Sequence, residues 1–277
     1  MRNKRVAAVN DLAGFGRSSL AVIMPILSAM GLQCCPVPTA VLSSHMAIKG
    51  YTFLDMTENL RKTISHWKSA GIKFDAIYTG FLGSAEQVPV VCDALKNLKD
   101  ENALLVVDPV MGDNGKPYKS CTQDLINGMR ELAFMADILV PNETEAMLLL
   151  DRDASNISSE SAAENIVREL SSKGPLKVVL TGLSIKPGAI CSVCFDRNAD
   201  KCEFIYKDRI GGYFPGTGDI FASVLTGAFL CGKDIFESAK TAADFVKACA
   251  EETLNSGEAP IAGVLFERLL PKLIDRM

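Results

Sequence analysis

The stretch Gly212–Gly232, GYFPGTGDIFASVLTGAFLCG, sets glycines and one carboxylate, Asp219, directly ahead of an apolar helix. Gly216, Thr217 and Gly218 precede that helix, so their backbone N–H groups and the helix N-terminus can form an anion-binding cup. Glycine there permits the close approach of a phosphate. A carboxylate in a first helical turn also interacts well with the helix dipole and caps free N–H groups. Beside a phosphate cup it can instead accept the proton of a hydroxyl nucleophile while the cup stabilises charge on the transferring group.

Outward from this stretch, short β-rich runs alternate with helix-length amphipathic segments. Residues 5–9, 33–37, 74–79, 103–108, 137–140 and 177–181 read as strands, apolar throughout, as a sheet covered on both faces requires. Residues 55–70 read as a helix with a capping-box-like start at Asp55 and Glu58 and a stop at Gly71. Ser84 and Gln87 open the next helix in the same way. The repeated order implies right-handed crossovers and a mainly parallel sheet. After residue 185 two strands flank the turn DRNAD, which places an antiparallel hairpin at one sheet edge. Three helical segments finish the chain. With no linker rich in Pro, Gly or Ser and no internal repeat, a single domain over residues 1–277 is expected.

Composition narrows the function. The chain has 277 residues and is 48% hydrophobic, ample for a sizeable core. A net charge of -4, from 29 basic and 33 acidic residues without long runs, offers no footprint for nucleic acid or an anionic membrane. Small-molecule partners are expected. The apolar run near the N-terminus stops at Asn10 and Asp11, too short for a signal peptide or membrane span, so a cytoplasmic protein with nine reduced cysteines is expected. The pair Cys191 and Cys194, in CSVC, has metal or redox spacing. On a strand, however, residues three apart face opposite ways and cannot easily chelate one ion.

In open parallel sheets ligands sit beyond the carboxyl ends of the strands. The segments just after each strand are Asn10–Gly16, Thr39–His45, Gly80–Ser84, Asp108–Asp113, Asn142–Glu145, Thr181–Gly182 and Gly211–Asp219, mostly polar or glycine. The first contains GFGRSS, close to a dinucleotide fingerprint, but Ser19 stands where the third glycine would be. The acidic ribose partner after the second strand is also missing. A Walker A sequence is absent as well, which leaves no P-loop.

PGTGD before a helix, DPVMGD at Asp108–Asp113, PNETE at Pro141–Glu145 and YTGFLGSAEQ at Tyr78–Gln87 together resemble the pyridoxal kinases of the ribokinase superfamily. Order and spacing agree over essentially the whole chain. The nearest resemblance is to bacterial pyridoxamine kinases, through the segments around Phe15–Leu20, PILSAMG and PTAVLSSH. The fold so implied is a ribokinase-like three-layer α/β/α sandwich. The implied activity is ATP-dependent phosphorylation of the 5'-hydroxymethyl group of a vitamin B6 vitamer, with Mg2+ and a homodimeric assembly.

Carried over by position, the resemblance makes Asp219 the base and Gly216, Thr217 and Gly218 the anion hole around the transferred phosphoryl group. Asp108 and Glu145 match acidic residues near the ATP phosphates where hydrated magnesium is held, with Asp113 as a further contributor. Asn142 and Thr181, with Thr217, match nucleotide-contacting positions. Asp11, Thr39, His45 and Phe81 match the wall of the substrate pocket. For three of these a structural role is the open alternative: a helix cap for Asn142, a hydrogen-bond donor for His45, a turn cap for Asp113. Two departures bear on vitamer preference, since many pyridoxal kinases carry serine at the position of Asp11 and tyrosine at that of Phe81. Hydroxymethylpyrimidine kinase is the rival within the superfamily. It typically has cysteine after GTG, where this chain has Asp219. A catalytically silent vitamin-binding protein is the rival outside it.

Overall fold

Strand β1 (Arg5–Ala13) shows why these runs are apolar on both faces: Val6 and Ala8 pack into one core while Ala7 and Val9 pack into another on the opposite side. The computed structural model describes residues 3–153 and 157–274. After β1 come α1 (Leu20–Ala29), β2 (Gln33–Leu42), β3 (Phe53–Asp55), α2 (Thr57–Ser69), β4 (Phe74–Thr79), α3 (Gln87–Leu98) and β5 (Lys99–Val107). A small hairpin, β6 (Gly112–Asp113) and β7 (Lys116–Pro117), leads to α4 (Gln123–Phe134), β8 (Ile138–Leu139), α5 (Glu143–Leu149), α6 (Glu160–Ser172) and β9 (Lys177–Leu183). The chain then forms β10 (Ala189–Asp196), β11 (Lys201–Asp208), α7 (Thr217–Leu230), α8 (Ile235–Ser256) and α9 (Pro271–Ile274).

Nine strands make one sheet in the order β11-β10-β9-β8-β5-β4-β1-β2-β3. Strands from β9 to β2 run parallel, and the hairpin β10–β11 pairs antiparallel at one edge, as the sequence predicts. The other edge carries β3, antiparallel to β2, which the sequence reading assigned to no strand. Helices α2 to α6 cover one face, and α1, α7, α8 and α9 the other, giving the three-layer α/β/α sandwich. Cys191 lies in the first core and Cys194 in the second, on opposite sides of β10. Among the described residues no helix is long and apolar enough to cross a membrane.

Two expected helix starts are built differently. Asp55 accepts the Thr57 N–H at 2.7 Å from outside the helix, and Glu58 gives no reciprocal bond. Gln87 does not cap α3. Its fully buried amide instead receives the Gly83 N–H at 2.8 Å and donates to the Thr39 carbonyl at 2.8 Å and the Thr57 hydroxyl at 3.0 Å, bracing β2, α2 and α3 together.

From β1 the chain steps to β2 on one side and later returns to β4 on the other. The crevice beyond the carboxyl ends of β1 and β4 is therefore a topological switch point, where open α/β sheets bind ligands.

Candidate active site

Helix α7 is buried from Ile220 to Ala228, so only its first turn faces the crevice. Gly216 takes a left-handed φ of 81°, and a Cβ there would stand 1.8 Å from the Arg17 carbonyl oxygen. Only glycine allows this approach of the turn to the loop before α1. No side chain caps the helix, and the Thr217 hydroxyl is turned back to the Phe214 carbonyl at 3.1 Å. The cup is thus backbone N–H, with open space over Gly218.

Asp219 stands at this N-terminus and is gripped from two sides. The Ser19 N–H donates to Oδ2 at 2.9 Å, and Asn10 Nδ2 faces Oδ1 at 3.4 Å. Burial raises its pKa to about 7, assisted by the charge of Asp11 and opposed by the bonds from Ser19 and Asn10. Ser19 presents its N–H from a φ of 55°, a left-handed conformation that L-residues rarely hold. At the place of the fingerprint's third glycine, the Ser19 N–H serves the Asp219 carboxylate.

Asp108 follows β5 and Glu145 lies in α5. Asp108 is 6% exposed, and its pKa is driven well above the usual carboxylate range by burial, then by the charges of Glu145 and Asp219. Its carboxylate receives no hydrogen bond among the described residues. Glu145 is raised to about 8, chiefly by burial. Its Oε1 accepts the Met111 N–H at 3.2 Å and its Oε2 the Asn142 N–H at 2.8 Å. Two buried carboxylates, the charge of Glu145 raising Asp108, offer the hard oxygen donors that suit a divalent cation. Asp113 adds its charge to the rise of Glu145, and its oxygens accept from the Asn114 N–H at 2.8 Å and the Asn114 side chain at 2.9 Å, a turn cap. Among the described residues no group of three or more His, Cys, Asp or Glu forms a ready-made metal cluster.

Asn142 is the N-cap of α5 in a reciprocal capping box with Glu145, and its Nδ2 donates to the Gly112 carbonyl at 2.9 Å. Thr181 bridges to it, with its own N–H on the Pro141 carbonyl at 2.9 Å. The side chains of both are committed locally.

Asp11 is 6% exposed, and burial raises its pKa to about 6 against the bond from the Ser19 side chain. Thr39 donates its hydroxyl to the Phe81 carbonyl at 2.8 Å, tying β2 to the segment after β4. Phe81 packs with Ala40 and Leu42 against Met46 and Val110, a small apolar cluster separate from the two main cores. His45 Nε2 lies 2.7 Å from the Ile261 carbonyl, an acceptor only, so this nitrogen carries the proton, the structural alternative. Asn10, Ser19, Met46 and Val110 were not singled out from sequence. Asn10, which follows the apolar run 5–9 and lies within β1, and Ser19, in GFGRSS and at the N-cap of α1, gave a signal by position, but Met46 and Val110 gave none.

The family model described as phosphomethylpyrimidine kinase matches residues 25–262. A provisionally named pyridoxal kinase of Schizosaccharomyces pombe is 28% identical over 264 residues, covering 91% of this chain and 83% of that protein. Among solved structures, a provisionally named phosphomethylpyrimidine kinase of Bacteroides thetaiotaomicron, in an orthorhombic form with pyridoxal, is 36% identical with a TM-score of 0.94, over 99% of this chain and 96% of that one. The pyridoxal kinase of Lactobacillus plantarum is 28% identical with a TM-score of 0.90, over 99% and 97%.

Proposed function

Because the chain belongs to the phosphomethylpyrimidine kinase family, of ribokinase-like fold, we propose that it is a kinase that transfers the γ-phosphoryl group of ATP to the 5'-hydroxymethyl group of a vitamin B6 vitamer. The observation that carries this reading is Asp219 at the uncapped start of α7, beside a backbone cup, with a pKa near 7. A base poised near neutral pH suits abstraction of a hydroxyl proton.

In the proposed mechanism the vitamer ring lies against Phe81, Met46 and Val110, and Asp11 pairs with a protonated ring nitrogen or amine. Asp219 orients the hydroxyl and accepts its proton as the hydroxyl oxygen forms a bond to the γ-phosphorus. The bond from that phosphorus to the bridging oxygen breaks and leaves ADP. The N–H groups of Gly216, Thr217 and Gly218 receive the charge that develops on the phosphoryl oxygens. Asp108 and Glu145 would hold Mg2+, directly or through water, and the ion would supply positive charge to neutralise the phosphates. The chain works as one kinase domain in the cytoplasm, as a homodimer.

A second reading, phosphorylation of hydroxymethylpyrimidine, is favoured by the family description alone. Steady-state rates on pyridoxal, pyridoxamine, pyridoxine and hydroxymethylpyrimidine separate the two. A B6 vitamer is the expected best substrate, and a higher kcat/KM on the pyrimidine overturns the proposal.

A further inference from the structure

Asn10 has no role in the mechanism above, yet it is 1% exposed and its side chain is committed at both ends. Its Oδ1 accepts the backbone N–H groups of Asp11 and Phe81, each at 2.9 Å. A backbone N–H can only donate, so these two bonds fix which way the amide faces. Nδ2 is thereby turned to Oδ1 of Asp219 at 3.4 Å. The seat leaves no slack, because a Cβ on Gly80 would stand 2.2 Å from Nδ2.

The geometry points to Asn10 as a positioning residue for phosphoryl transfer: its pinned amide holds the Asp219 carboxylate in the orientation that addresses the substrate hydroxyl. This rests on Asp219 being the base. Ser19 takes one carboxylate oxygen and Asn10 the other, each from a different element, so neither rotation nor tilt of the group is free. The same amide also sets the substrate wall, since Phe81 gives Asn10 its N–H while its carbonyl accepts from Thr39. Base and ring wall are thus registered to one another through a single side chain at the switch point. Asn10 touches the base and not the substrate, so its effect should appear in turnover.

A buried asparagine that merely satisfies the Asp11 and Phe81 N–H groups would also cost activity when replaced, but independently of Asp219. A double-mutant cycle distinguishes the two. Asn10→Asp keeps the oxygen acceptor and removes the donor. It is measured in the full-length enzyme, alone and combined with Asp219→Asn, with thermal unfolding of each variant. The expected result is a kcat lower by roughly 10- to 100-fold, the worth of a hydrogen bond to a charged group, with KM for the vitamer within about threefold. In the Asp219→Asn background the further loss should be under about threefold. If Asn10→Asp fails to fold, Asn10→Ser carries the same cycle. A loss of equal size in both backgrounds, or an unchanged kcat, overturns the inference while leaving the base assignment standing. Full turnover in Asp219→Asn alone overturns both.

Discussion

The backbone N–H of Ser19 donates to Oδ2 of Asp219 at 2.9 Å, joining the start of α1 to the start of α7 across 200 residues of chain. The bond exists because Ser19 holds a φ of 55°, which aims its N–H into the crevice. Strain of this kind, of order 1–3 kcal/mol, persists where surrounding structure over-determines it, often at functional sites.

Ser19→Gly should therefore be tolerated. Glycine adopts this backbone without steric cost, and the N–H to Asp219 remains. The unfolding temperature is expected to stay within a few degrees of wild type or to rise. Gly216→Ala should behave oppositely, because its Cβ meets a carbonyl oxygen. Equal destabilisation by both variants in a thermal melt would contradict this account of the two turns.

The raised carboxyl groups set a pH dependence of known sign. Asp219 must be ionised to accept a proton, so kcat/KM should rise as pH increases through about 7. Stability should move the other way. The folded state retains protons on Asp219, and on Glu145 up to about 8, that the unfolded chain releases near pH 4, so these groups destabilise progressively from about pH 4 to 8. Thermal melts and a kcat/KM profile over that range check both; a rate that falls through pH 7 from the acid side contradicts the assignment.

The layered sheet was legible because strands buried on both faces read as continuous apolar runs, and the hairpin because DRNAD interrupts two of them. Strand β3 was not: it is three residues long with every side chain exposed, so Phe53 and Leu54 mark no buried face, and it exists through pairing with β2. Asp219 and its cup were legible as local sequence, glycine beside carboxylate at a helix start. The roles of Thr39, Gln87 and His45 were not, because each is decided by a partner distant in the chain: the carbonyl of Phe81, the carbonyl of Thr39, the carbonyl of Ile261. A side chain's type says what it can bond to, and only the fold says what stands opposite.

Asp11 is a buried carboxyl bonded by the Ser19 side chain. Asp11→Ser is expected to change the ratio of kcat/KM between pyridoxamine and pyridoxal, and because a neighbouring negative charge is lost, to lower the pKa of Asp219. An unchanged ratio in steady-state assays removes Asp11 from vitamer selection.

Glu145 combines a capping box with the candidate metal site. Glu145→Gln keeps a side chain that can serve at this position of a capping box but removes the ionisable carboxylate. The magnesium concentration for half-maximal rate should rise. A titration that overlays the wild type leaves Glu145 as a cap only.

The central claim is that Asp219 is the base. As a helix cap alone it would be replaceable by asparagine, itself a good cap, with little change in turnover. As the base it is not, and ATP binding should persist, since the cup of Gly216, Thr217 and Gly218 is backbone. The deciding measurement is kcat for Asp219→Asn in a preparation whose thermal unfolding matches wild type. The account predicts a fall of roughly 10²- to 10⁴-fold, the usual contribution of a positioned acid–base group, and a fall of less than about threefold would contradict it.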